Sequence, residues 1–159
     1  MSTVYPLPDA AHVKDLLGML FDGFTVKPGA KLDLSPKASS YFGLYAADDG
    51  HLAAFCGCDL AFATISGAAL SMLPPTAAKE AAKEGQLPGV MLANLHEVMN
   101  ICTRLILRDE SPHLRLRDVC LIGAMPAASA ALLGATQRRI DFEVGIARYG
   151  TGALAVFCV

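Results

Sequence analysis

Apolar and polar residues follow two different periods along this chain. Residues 10–22 place four apolar side chains three or four positions apart, at Val13, Leu16, Leu17 and Leu20. Residues 88–107 show the same helical spacing, and Pro88 is suited to the first turn. Five apolar side chains of this second segment fall on one side of a helix: Met91, Leu95, Val98, Cys102 and Leu105. Both segments are therefore predicted to be helices with one buried side.

Strands are predicted before and after this central helix. Residues 41–58 read as two strands around Asp48-Asp49-Gly50, which is a hairpin signal. Residues 114–122 read as another strand. Residues 138–159 alternate apolar with polar or small residues and predict a second hairpin, with its turn at residues 149–152. Strands on both sides of a helical middle predict an α+β domain with an antiparallel sheet.

Shorter signals complete the pattern. Asp59 is suited to cap a helix over residues 60–73, which Pro74-Pro75 would end. Residues 76–85 predict a short exposed helix that stops at Gly85. Residues 125–134 predict one or two helical turns, and residues 24–40 predict a loop with short extended parts.

Composition favours one ordered domain over residues 1–159. Hydrophobic residues make up 53% of the chain, charged residues 18%, and mean hydropathy is +0.43. This apolar excess predicts a deep core, an oligomer interface or both. The net charge of −2, the absence of a basic run and the lack of Trp argue against a nucleic-acid partner.

The same reading predicts a cytoplasmic protein outside the membrane. The opening MSTVYPLPDA lacks the positive charge and apolar centre of a secretory leader. Residues 52–73 are the most apolar stretch, but Asp59 divides them into pieces too short for a membrane span.

Five scattered cysteines predict reduced, buried thiols. Cys56 and Cys58 lie two apart on a predicted strand, so their side chains share one face. With His51 nearby, a metal site is the alternative. Small core residues are favoured because no second ligand pair follows at zinc-like spacing.

The polar side of the central helix carries the candidate chemistry. Glu97, Asn100 and Arg104 fall together there, and Asn94 lies near the boundary with the apolar side. An ordinary solvated face is the favoured interpretation of the pattern alone. Asn100 invites a functional one, because asparagine is a mediocre helix former.

Familiar catalytic motifs are missing from this face. His96-Glu97 begins like the zinc-protease motif H-E-x-x-H, but position 100 is Asn. The chain has no nucleophile elbow and no phosphate loop. His96 and His113 show no nucleophile at a matching spacing and are interpreted as surface histidines.

The segment NLHEVMNICTRLIL resembles the CheX/CheC family of chemotaxis phosphatases. The matching motif is E-x-x-N, from Glu97 to Asn100, and the order of hairpin, apolar helices, motif helix and closing strands is similar from about residue 41 onward. The resemblance implies an antiparallel sheet with a central motif-bearing helix and flanking helices.

The resemblance also implies a function in two-component signalling. The substrate would be a phosphorylated, CheY-like response regulator with an aspartyl phosphate. Asn100 would orient the attacking water, and Glu97 would contact the regulator's lysine. Asn94 and Arg104 are expected to help bind the partner, although solvation is favoured for Arg104. The chain needs no cofactor of its own, because the receiver domain supplies Mg²⁺.

Departures from the family leave other functions open. Ala93 stands where many members have Asp or Ser, and Gly123 stands where some have Pro, with Pro126 three residues later. One alternative is a non-catalytic adaptor of the same fold. Another is a small-ligand sensor with a cavity lined by Met72, Met91 and Met99.

The C-terminal strand raises the question of assembly. Residues 153–159 are apolar and carry no charge. If this strand forms a sheet edge, pairing across a dimer would protect it, so a homodimer is predicted.

Overall fold

A six-stranded antiparallel sheet organises residues 5–159, which are the residues that the computed structural model describes. Residues 1–4, part of the segment used to argue against a leader, lie outside them. The strand order is β1-β5-β6-β3-β2-β4. The strands are β1 Thr25–Pro28, β2 Tyr41–Ala47, β3 Leu52–Cys58, β4 Leu114–Leu121, β5 Arg139–Ile146 and β6 Gly150–Cys158. The predicted α+β class with an antiparallel sheet is confirmed.

Five α-helices accompany the sheet in the described residues. They are α1 Ala10–Leu17, α2 Leu60–Ala69, α3 Pro75–Glu84, α4 Gly89–Cys102 and α5 Ala127–Ala135. A short 3-10 helix, Thr103–Leu105, continues directly from α4. The predicted central helix over residues 88–107 is therefore confirmed, although its last turn is wound more tightly than an α-helix and it ends at Leu105.

Both faces of the sheet are buried. Alternate residues of β2 belong to two different core clusters, as the opposite directions of successive strand side chains require. Helices α1 to α4 contribute to the first cluster, with Leu17, Phe62, Ala78 and Leu95 among its members. The second cluster lies under α5 and the loop before β2. The central strands β2 and β3 are consequently buried along their whole length.

The two predicted hairpins differ in how well their turns were located. Gly50, with φ +91°, lies between β2 and β3 as the turn signal indicated. Between β5 and β6, however, the loop is residues 147–149, and the prediction of residues 149–152 is wrong. A Cβ on Gly152 would lie 2.5 Å from the backbone nitrogen of Phe62, so this glycine permits close contact with α2.

The C-terminal strand is not an edge of the sheet. β6 pairs with β5 on one side and with β3 on the other, so the condition on which the homodimer was predicted is not met. Among the described strands the edges are β1 and β4. β1 has only four residues and carries Lys27 and Pro28, which discourage pairing with another chain. The homodimer therefore stays a prediction without the reason first given for it.

The most apolar stretch of the sequence is divided between two elements. Its first part is β3 and its second part is α2, which Asp59 caps by accepting a hydrogen bond from the Phe62 amide at 2.8 Å. The cap is as predicted, but α2 ends at Ala69, well before Pro74-Pro75. Within residues 5–159, no helix combines the length and the apolar character needed to cross a bilayer.

The reactivity of the cysteine thiols tests whether these side chains are buried in the core. Four cysteines are buried, Cys120 is half-buried, and all five are unpaired. Burial raises the pKa of Cys58 well above its ordinary value and that of Cys158 to about 11. Because the thiolate is the reactive form, we expect iodoacetamide at about pH 8 to alkylate Cys120 first in the native protein, and all the cysteines after unfolding. Mass spectrometry counts the adducts, and rapid native labelling of Cys58 would contradict the burial.

Candidate functional site

Helix α4 presents the sequence motif on its outer side. Met91, Leu95, Val98 and Cys102 are buried against the first core cluster, as is Met99, which the sequence pattern did not include. Glu97, Asn100 and Arg104 are exposed, together with Ala93 and His96. The predicted division of the helix into a buried side and a polar side is confirmed.

The polar groups of this outer side are free of internal contacts. Among residues 5–159, no hydrogen bond or ion pair involves the side chain of Glu97, Asn100 or Arg104. Glu97 and Asn100 are three residues apart, so their Cβ atoms stand about 5–6 Å apart on the helix surface. A carboxylate and an amide are therefore available together to a partner that covers this face.

Asn94 occupies a different position. It is half-buried at the side of the face, and its Nδ2 donates to the Gly67 carbonyl at 2.7 Å and to Ser71 Oγ at 2.8 Å. At the same place a Cβ on Gly67 would lie 2.9 Å from the Met91 carbonyl oxygen, so α2 and α4 touch closely there. The Asn94 amide nitrogen thus fastens α4 to α2 instead of pointing to the exposed face.

The end of α4 is held by the sheet. The Thr103 amide donates to the carbonyl of Asn100, where the α-helix gives way to the 3-10 helix. The hydroxyl of Tyr45, on β2, donates to the Met99 carbonyl at 2.6 Å. Sequence reasoning missed Tyr45, because its only signal is membership of an apolar strand and its contact spans 54 positions.

The residues of the alternative metal site lie in different surroundings. Cys56 and Cys58 belong to the first core cluster, whereas His51 is exposed and its imidazole contacts the Asp49 carboxylate. Among the described residues, no three His, Cys, Asp or Glu side chains are grouped so that they could hold a metal ion. The metal interpretation of the C-x-C pair therefore has no geometric support.

The sensor hypothesis grouped three methionines that the structure separates. Met72 is 86% exposed, in the segment between α2 and α3, while Met91 and Met99 are buried in the first core cluster. Surface clefts do exist, and one of about 650 Å³ lies between the residues 29–33 loop and the start of α2. No residue of the α4 outer side lines it.

Solved structures resemble this chain over nearly its whole length. A chain of the FliM–SpeE complex from H. pylori has a TM-score of 0.62 at 8% identity, with 94% of this chain and 78% of that chain covered. The FliM middle domain from H. pylori gives 0.54 at 8%, with 94% and 82% covered. A chain of the CheX–CheY–BeF3–Mg complex from Borrelia burgdorferi gives 0.51 at 15%, with 92% and 90% covered. No protein-family profile and no curated protein sequence matches.

These similarities define the class of the protein by its fold. The chain is an α+β protein with the fold that CheX and the FliM middle domain share. The resemblance to the CheX/CheC family that the E-x-x-N helix indicated is thereby confirmed at the level of the fold. At 8–15% identity, the similarity carries no residue roles with it.

Proposed function

We propose that this chain dephosphorylates a response regulator that carries an aspartyl phosphate. The observation that carries the proposal is the outer side of α4, where Glu97 and Asn100 are exposed next to each other without partners in the described chain. The similarity to a chain of a CheX–CheY complex supports a receiver domain as the partner. In that complex BeF3 takes the place of a receiver's phosphoryl group, and Mg is the metal ion that accompanies it.

The proposed reaction needs little from this chain beyond positioning. Water attacks phosphorus, the bond between phosphorus and the aspartyl oxygen breaks with its electron pair going to the carboxylate, and the water proton passes to solvent. The receiver's Mg²⁺ and lysine stabilise the charge on the phosphoryl group. Asn100 is assigned to orient the water, because an amide offers both an acceptor and donors. The absence of an activated nucleophile on α4 is consistent with this division of roles.

Glu97 is assigned to bind the partner's lysine. A carboxylate that has no counter-ion of its own can form a charge-assisted hydrogen bond with an ammonium group once water is excluded from the interface. Arg104, one turn beyond Asn100 and also exposed, is assigned in this proposal to contact an acidic group of the partner. Together these side chains would fix the register in which Asn100 enters the receiver's active site.

Binding tests the role of Glu97. We expect Glu97→Gln to weaken binding to a receiver domain activated with BeF3 and Mg²⁺ by about ten-fold or more, because it removes a charged hydrogen bond. Isothermal titration calorimetry measures the dissociation constants. Glu80→Gln, an exposed carboxylate on α3, is the matched control and should bind like the wild type. Equal affinities for Glu97→Gln and the wild type would remove Glu97 from the interface.

A second candidate function is a non-catalytic adaptor that uses the same face. The observation in its favour is Ala93, which is exposed one turn before Glu97 and offers no polar group where a partner would meet the helix. An adaptor would bind the activated receiver without shortening the lifetime of its phosphate. Measuring both binding and phosphate decay on the same regulator therefore separates the two functions.

A further inference from the structure

Tyr45 joins the sheet to the backbone of α4 beside Asn100. The Tyr45 side chain is fully buried in the first core cluster, and its hydroxyl donates to the Met99 carbonyl oxygen at 2.6 Å. That carbonyl and the Asn100 nitrogen belong to the same planar peptide group. The hydrogen bond therefore fixes the orientation of the peptide group that joins Met99 to Asn100.

The Met99 carbonyl can accept this bond because the helix changes its hydrogen bonding at this point. In an α-helix the Thr103 amide would donate four residues back, to Met99. At the end of α4 this amide is directed to the carbonyls of Asn100 and Ile101, and the 3-10 helix follows. Asn100 is consequently held on both sides, at its own carbonyl by Thr103 and at the preceding peptide group by Tyr45.

The surroundings leave Tyr45 little freedom. A Cβ placed on Gly43 would lie 3.1 Å from the Tyr45 hydroxyl oxygen and 3.3 Å from Met99 Cβ, so the space between strand and helix is closed. Burial raises the pKa of the Tyr45 phenol well above its ordinary value. The hydroxyl therefore remains a hydrogen-bond donor throughout the neutral pH range.

We propose that Tyr45 is a positioning residue, whose hydroxyl sets where the Asn100 amide stands when α4 docks on the phosphorylated regulator. This inference rests on the proposed function. A reaction that depends on placing one water is sensitive to small displacements of the group that holds it. Glu97 lies nearly one turn earlier, and the Tyr45 hydroxyl donates to Met99 and not to Glu97, so docking is expected to depend much less on this hydroxyl.

Tyr45→Phe tests the proposal because it removes the donor and keeps the ring. We expect kcat for regulator dephosphorylation to fall about ten-fold, since the orientation of the water is a contribution to the transition state. KM for the phosphorylated regulator should change by less than about two-fold, since ground-state binding is preserved. Gly43→Ala is the second variant. It keeps Tyr45 but crowds its hydroxyl, and it should lower kcat in the same way.

Tyr149→Phe is the matched control. The Tyr149 hydroxyl also donates to a backbone carbonyl, that of Leu73, but it does so at the β5–β6 turn and away from α4. Loss of the Tyr149 hydroxyl should lower thermal stability without changing kcat. An independent readout is the amide nitrogen resonance of Asn100, which we expect to shift in Tyr45→Phe and to stay in place in Tyr149→Phe.

The outcomes separate this inference from the function on which it rests. An active wild type with Tyr45→Phe at full kcat and an unmoved Asn100 resonance would overturn the positioning role alone. A wild type inactive on every regulator, with the Asn100 resonance still shifted by Tyr45→Phe, would overturn the proposed function and with it the catalytic meaning of the contact.

Discussion

Replacing Asn100 by alanine is expected to lower the acceleration of regulator dephosphorylation by about 100-fold, because it removes from that position the amide that is assigned to hold the attacking water as donor and as acceptor. Ala93 is apolar, Arg104 offers donors only, and Glu97 is assigned to the partner's lysine. The variant should fold like the wild type, since Asn100 is exposed and makes no hydrogen bond through its side chain within residues 5–159. Loss of phosphate from the regulator, followed over time, measures the effect.

Two other amides serve as controls for this variant. Gln86→Ala removes an exposed amide just before α4 and should leave the rate unchanged. Asn94→Ala removes the hydrogen bonds to Gly67 and Ser71 and should reduce stability more than it changes chemistry. An Asn100→Ala variant that accelerates dephosphorylation like the wild type would show that water is oriented by some other group.

The largest effect on stability is expected for Asp141→Ala. The Asp141 side chain is only 8% exposed, and it accepts hydrogen bonds from Arg139 Nε at 2.9 Å, from Arg139 Nη2 at 2.7 Å and from the Leu32 amide at 2.8 Å. The Arg139 side chain is 14% exposed, and its guanidinium lies over the Phe157 ring. Removing the carboxylate leaves this charge without its counter-ion, which costs about 3–5 kcal/mol.

Glu143→Ala is the matched control on the same strand. Glu143 pairs with Lys27 at 3.0 Å, but the two side chains are 47% and 69% exposed. An ion pair so open to water contributes about 1 kcal/mol or less. Urea unfolding followed by circular dichroism gives the free energy of unfolding for each variant. Similar losses for both would mean that the Arg139–Asp141 pair does not anchor the loop before β2 to the sheet.

The elements that position the site could be predicted from local signals in the sequence. The apolar period of residues 88–107 located α4 and assigned Glu97 and Asn100 to its exposed side, because a helix packed on a core needs one continuous apolar stripe. The Asp48-Asp49-Gly50 turn and the Asp59 cap were also readable, since each depends on residues close together in the chain.

Long-range contacts explain what the sequence did not predict. The position of β6 inside the sheet depends on pairing with β3, about a hundred residues away, and no local pattern records it. Gly152 imitated a turn signal because close packing of a helix against a strand also requires glycine, whereas Gly150, with φ +129°, directly follows the actual loop. The hydrogen bond from Tyr45 to Met99 could not be predicted either. In the sequence, a buried tyrosine has the same pattern as any other apolar strand residue.

The most direct test of the phosphatase proposal is the lifetime of aspartyl phosphate on a set of response regulators, with and without catalytic amounts of the wild-type chain. We predict that at least one regulator loses its phosphate faster, that each copy of the chain turns over many times, and that Mg²⁺ bound to the receiver is required. Unchanged lifetimes on every regulator that binds the folded chain would contradict the phosphatase and leave the adaptor as the function of this face.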